Sequence, residues 1–335
     1  MSQLVAPPPA APVAVPHRRR IFEAGFPYWH ELVLVALLIA LMIFAGRAEP
    51  KFVEPAAQLQ RSIEAGFWER ALLALPMTLI IITAGIDLSV GSTMALSAVV
   101  MGVSFRAGIP MPLAIALGLL TGTAAGLVNG LFVAFVRVHP LLVTLATLSA
   151  YRGLAEGISH AQTMTGFPAW FARLSGDVGG VPVAGVLFFL GAIVTAVVLG
   201  KTPFGRSVYA MGYNETACRF SGIPTRRIKL LLYTLAGTAA GVAAMLYASR
   251  VNTASADQGL GFELDVITAV VLGGTSVFGG RGTVVGTVLG LLLIHETQQF
   301  VSWHWNKDVL IYIVVGSLLI LSVLLNTLLT PRGRE

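Results

Sequence analysis

The residues equipped for chemistry are few, and they sit in apolar surroundings. Asp87 stands between two hydrophobic runs within GIDLSVGS (Gly85–Ser92), with Thr83, Ser89, Ser92 and Thr93 around it. A carboxylate inside a membrane span is costly, so it faces a cavity, a partner or the water boundary. The same residue also suits the N-cap of a following helix, because Asp-Leu-Ser-Val-Gly is a good helix opening. The two roles are compatible. Glu156, His295, Glu296, Gln298 and Gln299 lie near the ends of other apolar runs, where they could relay protons or simply sit at the interface.

No enzymatic constellation survives inspection. His295-Glu296 opens like the zinc-protease helix, but Gln299 stands where HExxH needs its second histidine. Gly200-Lys201-Thr202 ends like a phosphate-binding loop, yet Thr195 occupies the place of the required first glycine. Cys218 is the single cysteine, which excludes an intrachain disulfide or a multi-cysteine metal site. No catalytic residue, no metal ligand and no nucleotide site are expected in this chain.

The elements that must position these groups are membrane helices. Of 335 residues, 56% are hydrophobic and 11% charged, with a mean hydropathy of +0.80. Soluble domains carry roughly 25% charged residues. The apolar runs are continuous rather than alternating, so the fold class is all-α and polytopic, not a β-barrel. The Pro/Ala-rich residues 1–16 open a tail (1–27) expected to be disordered, and His17 to Arg20 precede an uncleaved first span. A membrane domain spans 28–330, and residues 331–335 form a short tail. About ten crossings fit: near Trp29–Gly46, Phe67–Gly85, Leu88–Phe105, Met111–Val136, His139–Gly157, Pro182–Gly200, Ile228–Ser249, a short one at Leu264–Phe278 that is expected to be broken, tilted or re-entrant, Thr283–Val301 and Asp308–Leu329.

Charge sets the topology. The net charge of +6 is concentrated in the two tails and in Lys201–Lys229, which holds Lys201, Arg206, Arg219, Arg226, Arg227 and Lys229 against one acid, Glu215. Basic loops between spans stay in the cytoplasm, which places both termini and this loop there and gives no reason to expect a nucleic-acid partner. Arg47–Arg70 departs from that bias and balances its cations with Glu49, Glu54, Glu64 and Glu69. Within the central loop, Glu215–Phe220 reads as a short helix capped by Asn214 and stopped by Ser221-Gly222 before Pro224. Such a helix either serves a soluble partner or is only a solvated basic loop. Two interrupted stretches, Gly85–Ser92 and Val271–Gly282, suggest corresponding breaks of an inverted repeat beside a pathway. Gly118, Gly122, Gly126 and Gly130 form a stripe suited to close helix packing, with Asn129 beside it.

GIDLSVGS (Gly85–Ser92), GRSVYAMGYNETACRFSGI (Gly205–Ile223) and ELDVITAVVLGGTSVFGGRGTVVGTVLG (Glu263–Gly290) together resemble the permease subunit of bacterial sugar-importing ABC transporters, of the ribose, xylose, rhamnose and autoinducer-2 class. The resemblance runs in order from about residue 30 to 328. TLATLSAYRGLAEGI (Thr144–Ile158) is nearer to the autoinducer-2 and rhamnose permeases. Tyr213 and Cys218 depart from the family's usual glycine and alanine.

The resemblance implies a multi-pass protein of the inner membrane that pairs with a second permease copy or paralogue. It also implies two copies of a cytoplasmic ATPase that bind ATP and Mg, and an extracytoplasmic sugar-binding protein. The coupling loop would use Gly205, Arg206, Tyr209, Ala210, Gly212, Asn214, Glu215, Ala217, Arg219, Ser221, Gly222 and Ile223. Asp87, Ser89, Ser92, Asn129, Thr144, Gly273, Gly274 and Thr275 are the expected lining of the pathway. Two other classes stay open from the residues alone: an ion-coupled carrier working through Asp87 or Glu296, and a receptor or scaffold without flux.

Overall fold

The computed structural model describes residues 29–305, apart from 56, 57, 59, 61 and 63–65, and isolated residues between 310 and 324. The expected tails, 1–27 and 331–335, lie outside the described residues, and the last run, Asp308–Leu329, falls mostly outside them. Among the described residues, ten helices of eleven residues or more carry the fold: α1 (Trp29–Ala48), α2 (Phe67–Ile82), α3 (Val90–Arg106), α4 (Met111–Leu131), α5 (Pro140–Ser159), α6 (Val183–Lys201), α7 (Pro203–Phe220), α8 (Thr225–Val251), α9 (Phe262–Leu272) and α10 (Val284–Trp305). Five described helices are long and apolar enough to cross a membrane: α1, α4 with its π-helical extension to Val136, α6, α8 and α10. Two short antiparallel pairings add to the helices: β1 (Met164–Thr165) with β4 (Thr253–Ala254), and β2 (Asp177–Val178) with β3 (Val181–Pro182). The molecule is a polytopic helical membrane protein.

α2 sits at the centre. Every residue from Ala71 to Ile82 is buried, and the helix touches α6, α8, α9 and α10. A helix that is apolar all round has no solvent face to offer, and Pro76 is accommodated because neighbouring helices surround it. Around α2, helices approach through small residues. The α4 stripe does pack as expected: Gly122 and Gly126 lie on Gly237 of α8, where a Cβ would come within 2.7 Å of Gly126 Cα. Without a hydrophobic force between helices in lipid, this backbone proximity is what holds them.

Polar clasps close the end of the bundle where α2 begins. Arg70 pairs with Asp265 at 3.1 Å, and Arg250 with buried Glu69 at 3.0 Å. Gln298 adds a 3.0 Å bond to Asp265. The charges near Arg47–Arg70 are therefore matched partly across elements, and not only among themselves. The other end of the bundle carries α7 and the start of α1, where His30 Nε2 lies 3.1 Å from Leu272 O and Thr283 donates to Glu31 at 3.1 Å.

One sequence expectation needs correcting. Gly85–Ser92 and Val271–Gly282 are not counterparts at opposite ends, because Gly280 N–H donates to Ile82 O at 2.9 Å and the two breaks meet at one end. Breaks equivalent under an inverted repeat would stand at opposite ends.

Candidate functional site

The central basic segment folds almost entirely as helix. Thr202 caps α7 by accepting from Gly205 N–H at 3.2 Å, and Pro203 follows at the first helical position. At Asn214 the backbone leaves the helix (φ −159°, ψ 96°), and its side chain accepts from Ala217 N–H at 2.9 Å. A second short helix begins there and ends at Ser221-Gly222, where Gly222 takes φ +82°. This is the cap and stop expected from the sequence. The first turns, Pro203–Tyr213, were not expected as helix; Thr202-Pro203 was their signal. Glu215 fastens the second helix by ion pairs to Arg219 at 3.4 Å and Lys229 at 2.5 Å.

α7 has two faces. Gly205, Val208, Met211 and Cys218 are buried, whereas Arg206, Tyr213, Asn214, Ala217, Arg219, Ser221 and Gly222 are exposed. Phe220 is 89% exposed, the largest such value among exposed large hydrophobic side chains of the described residues. The inner face lies on both breaks at once. A Cβ at Gly212 would overlap Ile82 O and Gly280 N, so only glycine lets α7 seat there. Tyr209 OH donates to Gly282 O at 2.8 Å, and burial pushes its phenol above the usual range. Any displacement of α7 therefore acts on the end of α2 and on the turn before α10 together.

The first break, residues 83–89, re-enters the bundle from the α7 end. Asp87 accepts from Ser89 N–H at 2.9 Å and from Ser89 Oγ at 2.7 Å. Asp87 thus closes the turn that leads into α3, and Ser89 holds the N-cap position itself. Ser92 Oγ donates back to Ser89 O at 2.9 Å, and Asn129 donates to Ser89 Oγ at 2.7 Å. Tyr151 OH donates to Ala125 O at 3.0 Å and lies 3.3 Å from Asn129 Oδ1; Tyr233 OH donates to Ile86 O at 3.3 Å, and Thr144 Oγ1, which donates to Pro140 O at 3.0 Å, lies 3.3 Å from the same carbonyl. The structure brings together Asp87, Ser89, Ser92, Asn129 and Thr144. Gly273, Gly274 and Thr275 sit apart from that network, with Gly273 against Gly286 of α10 and Gly274 against the His30 ring.

Re-entry was expected at Leu264–Phe278, most of which is the regular helix α9 and the turns after it; the segment that re-enters lies just before, at 254–259. β4 pairs with β1 beside the end of α3, where a Cβ on Gly102 would come 3.0 Å from Ala254 Cβ. By Gly259 the chain has reached the start of α3, where a Cβ would come 3.0 Å from Gly91 O. From Gly102 back to Gly91 is roughly 16 Å of helix at 1.5 Å per residue, about half a hydrocarbon thickness of ~30 Å. Residues 254–259 therefore descend into the bundle from the clasped end and meet the first break at Gly91. Arg152 of α5 holds the descent by donating from Nη1 to Gln258 O at 2.9 Å and to Ala256 O. Its signal was the polar, glycine-bearing SADQGLG, which the sequence also permits as an ordinary loop.

Comparison with known proteins follows this geometry. The family model for the branched-chain amino acid transport system / permease component matches residues 69–323. The autoinducer 2 import system permease protein LsrD of Escherichia coli O9:H4 is 36% identical over 303 residues, covering 88% of this chain and 91% of the relative. LsrD of Shigella flexneri matches to the same extent. Among solved structures, PsaBC from Streptococcus pneumoniae in complex with Fab covers 85% of this chain and 95% of its own at 15% identity. Its TM-score of 0.44 is too low to guide a topology. The chain belongs to the branched-chain amino acid transport system permease component family, and it is a multi-pass inner-membrane permease subunit of an ABC importer.

Proposed function

We propose that this permease carries a monosaccharide or sugar-like solute, such as rhamnose, autoinducer-2 or ribose, into the cytoplasm, and that it makes no bond itself. The relatives named for autoinducer 2 import support the solute class. ATP and Mg bind to a separate cytoplasmic ATPase, a second permease copy or paralogue completes the pathway, and an extracytoplasmic binding protein delivers the solute. The chain crosses about ten times, with both termini and α7 on the cytoplasmic side.

One observation carries the reading. α7 presents exposed Phe220 next to exposed Arg219, while its other face seats Gly212 on both breaks. An exposed aromatic next to an arginine is the composition of a binding hot spot. ATP-driven closure of the partner would move α7, and α7 would shift the ends of α2 and of the turn before α10.

The test is purification of the tagged full-length chain from its host under gentle solubilisation. A co-purifying protein with two Walker-type nucleotide sites is expected, and Phe220→Ala should reduce its recovery about tenfold. Gly212→Trp should abolish uptake while the chain is still expressed. A chain that emerges alone and moves solute on an ion gradient would overturn the proposal in favour of a secondary carrier.

A further inference from the structure

The second re-entrant segment has its backbone held but leaves two buried side-chain oxygens without a partner. Gln258 is 3% exposed; its Nε2 donates to Thr253 O at 2.8 Å, yet its Oε1 is buried with no hydrogen-bond partner. Glu263, in the first turn of α9, has its Oε2 buried and unpartnered as well. That oxygen fills the space beside Gly91, where a Cβ would overlap both it and Gly259 O. The Arg152 guanidinium lies close enough to act electrostatically on Glu263 and Asp257. On α5, nothing stands within 4 Å of a Cβ placed on Gly153 or Gly157, the glycines that follow Arg152 in the helix. Leu260, at 70%, and Asp257 are exposed on the same segment.

A buried acceptor without a donor costs about 1–3 kcal/mol, and two in one stretch are a standing penalty unless a ligand supplies the donors. An amide oxygen and an ionised carboxylate oxygen both accept only. A fitting ligand therefore brings hydroxyl donors and no negative charge, and it meets them at mid-depth, where irregular backbone is tolerated only along a cavity or within protein. Broken segments meeting at the membrane middle are where carriers hold their solute.

We infer that Gln258 and Glu263, positioned by the Arg152 clamp and by the missing side chain at Gly91, form a mid-membrane station for the hydroxyl groups of a neutral polyol. This rests on the reading of the chain as a sugar-type permease. It places solute contact on 256–263 and α5 rather than on the Asp87 network.

The test uses the full-length chain in lipid nanodiscs with D-ribose, L-rhamnose and autoinducer-2 at millimolar concentration, and L-leucine as the comparison ligand. Saturation-transfer NMR should show contact with at least one polyol and none with leucine. Gln258→Leu and Glu263→Ala should each weaken that signal about tenfold, and Gln258→Glu, which keeps an acceptor, should retain it. A diazirine-bearing analogue of the bound sugar should label the unsubstituted chain within 252–263 or 149–156, an outcome independent of how the variants fold. Polyol contact unchanged in both variants, or labelling confined to 83–92, overturns the station while leaving the sugar-permease reading intact. Leucine contact without polyol contact overturns both.

Discussion

The two re-entrant segments touch at Gly91 and Gly259, but they are built to different standards. Residues 83–89 are closed. The Asp87 carboxylate takes both Ser89 donors, Ser89 Oγ takes Asn129, and Ile86 O takes Tyr233. Residues 254–259 have their carbonyls held by Arg152, yet Gln258 and the following Glu263 keep unpartnered acceptors. Both solve the membrane's demand that backbone groups be satisfied. Only the second leaves fully buried side-chain oxygens without a partner. The difference separates a hinge, whose hydrogen bonds should persist while its neighbours shift, from a surface finished by something that comes and goes.

The strongest way to break the comparison is to force the two segments apart. Gly91→Val places a branched side chain where Gly259 O and Glu263 Oε2 already lie, and neither backbone can yield without moving a helix. Solute uptake should fall to background, with the chain still inserted and detectable by immunoblot of the membrane fraction. Uptake above half of normal would mean that the contact at Gly91 is incidental.

Next in size is Arg152→Leu. It removes the donor to Ala256 O and Gln258 O and leaves two carbonyls at membrane depth, at a cost of about 1–3 kcal/mol for each left unpaired. Arg152→Lys keeps the charge but not the planar fork, so it should recover part of the loss. Thermal unfolding in detergent measures both, and the expected order is normal, then Lys, then Leu. Equal stability in all three would show the clamp to be dispensable.

How much of this was readable in the sequence differs between the same two regions. The turn at the first break was legible in its residues, a carboxylate inside apolar runs with serines and threonines around it, but not in its detail: Ser89, not Asp87, takes the N-cap position. The second short helix of α7 was legible for the same kind of reason, since Asn214, Ser221 and Gly222 act on their own neighbours. The descent at 254–259 was not legible. What makes it re-entrant is the depth of Gly102 and Gly91 on α3 and the reach of Arg152, more than a hundred positions away in sequence. Phe220 was overlooked for a related reason. A phenylalanine in a short helix reads as core until the structure shows which face it occupies, and here that face is open.

The smallest expected effect decides the most about mechanism. Asp87→Ala removes the acceptor for Ser89 N–H and Oγ, so the turn into α3 should lose about 1–3 kcal/mol. Asp87→Asn is different. An asparagine keeps a carbonyl oxygen where Oδ1 now accepts both bonds, and it takes a formal charge out of a buried site. If Asp87 is the hinge pin described above, the asparagine variant should unfold at or above the normal temperature and retain most of its uptake. If Asp87 instead carried protons, removing its titration would stop transport whatever happened to the fold. Uptake measured beside the unfolding temperature separates the two: stability kept with transport lost would return the ion-coupled carrier to consideration, and both kept would confine Asp87 to holding the first break closed.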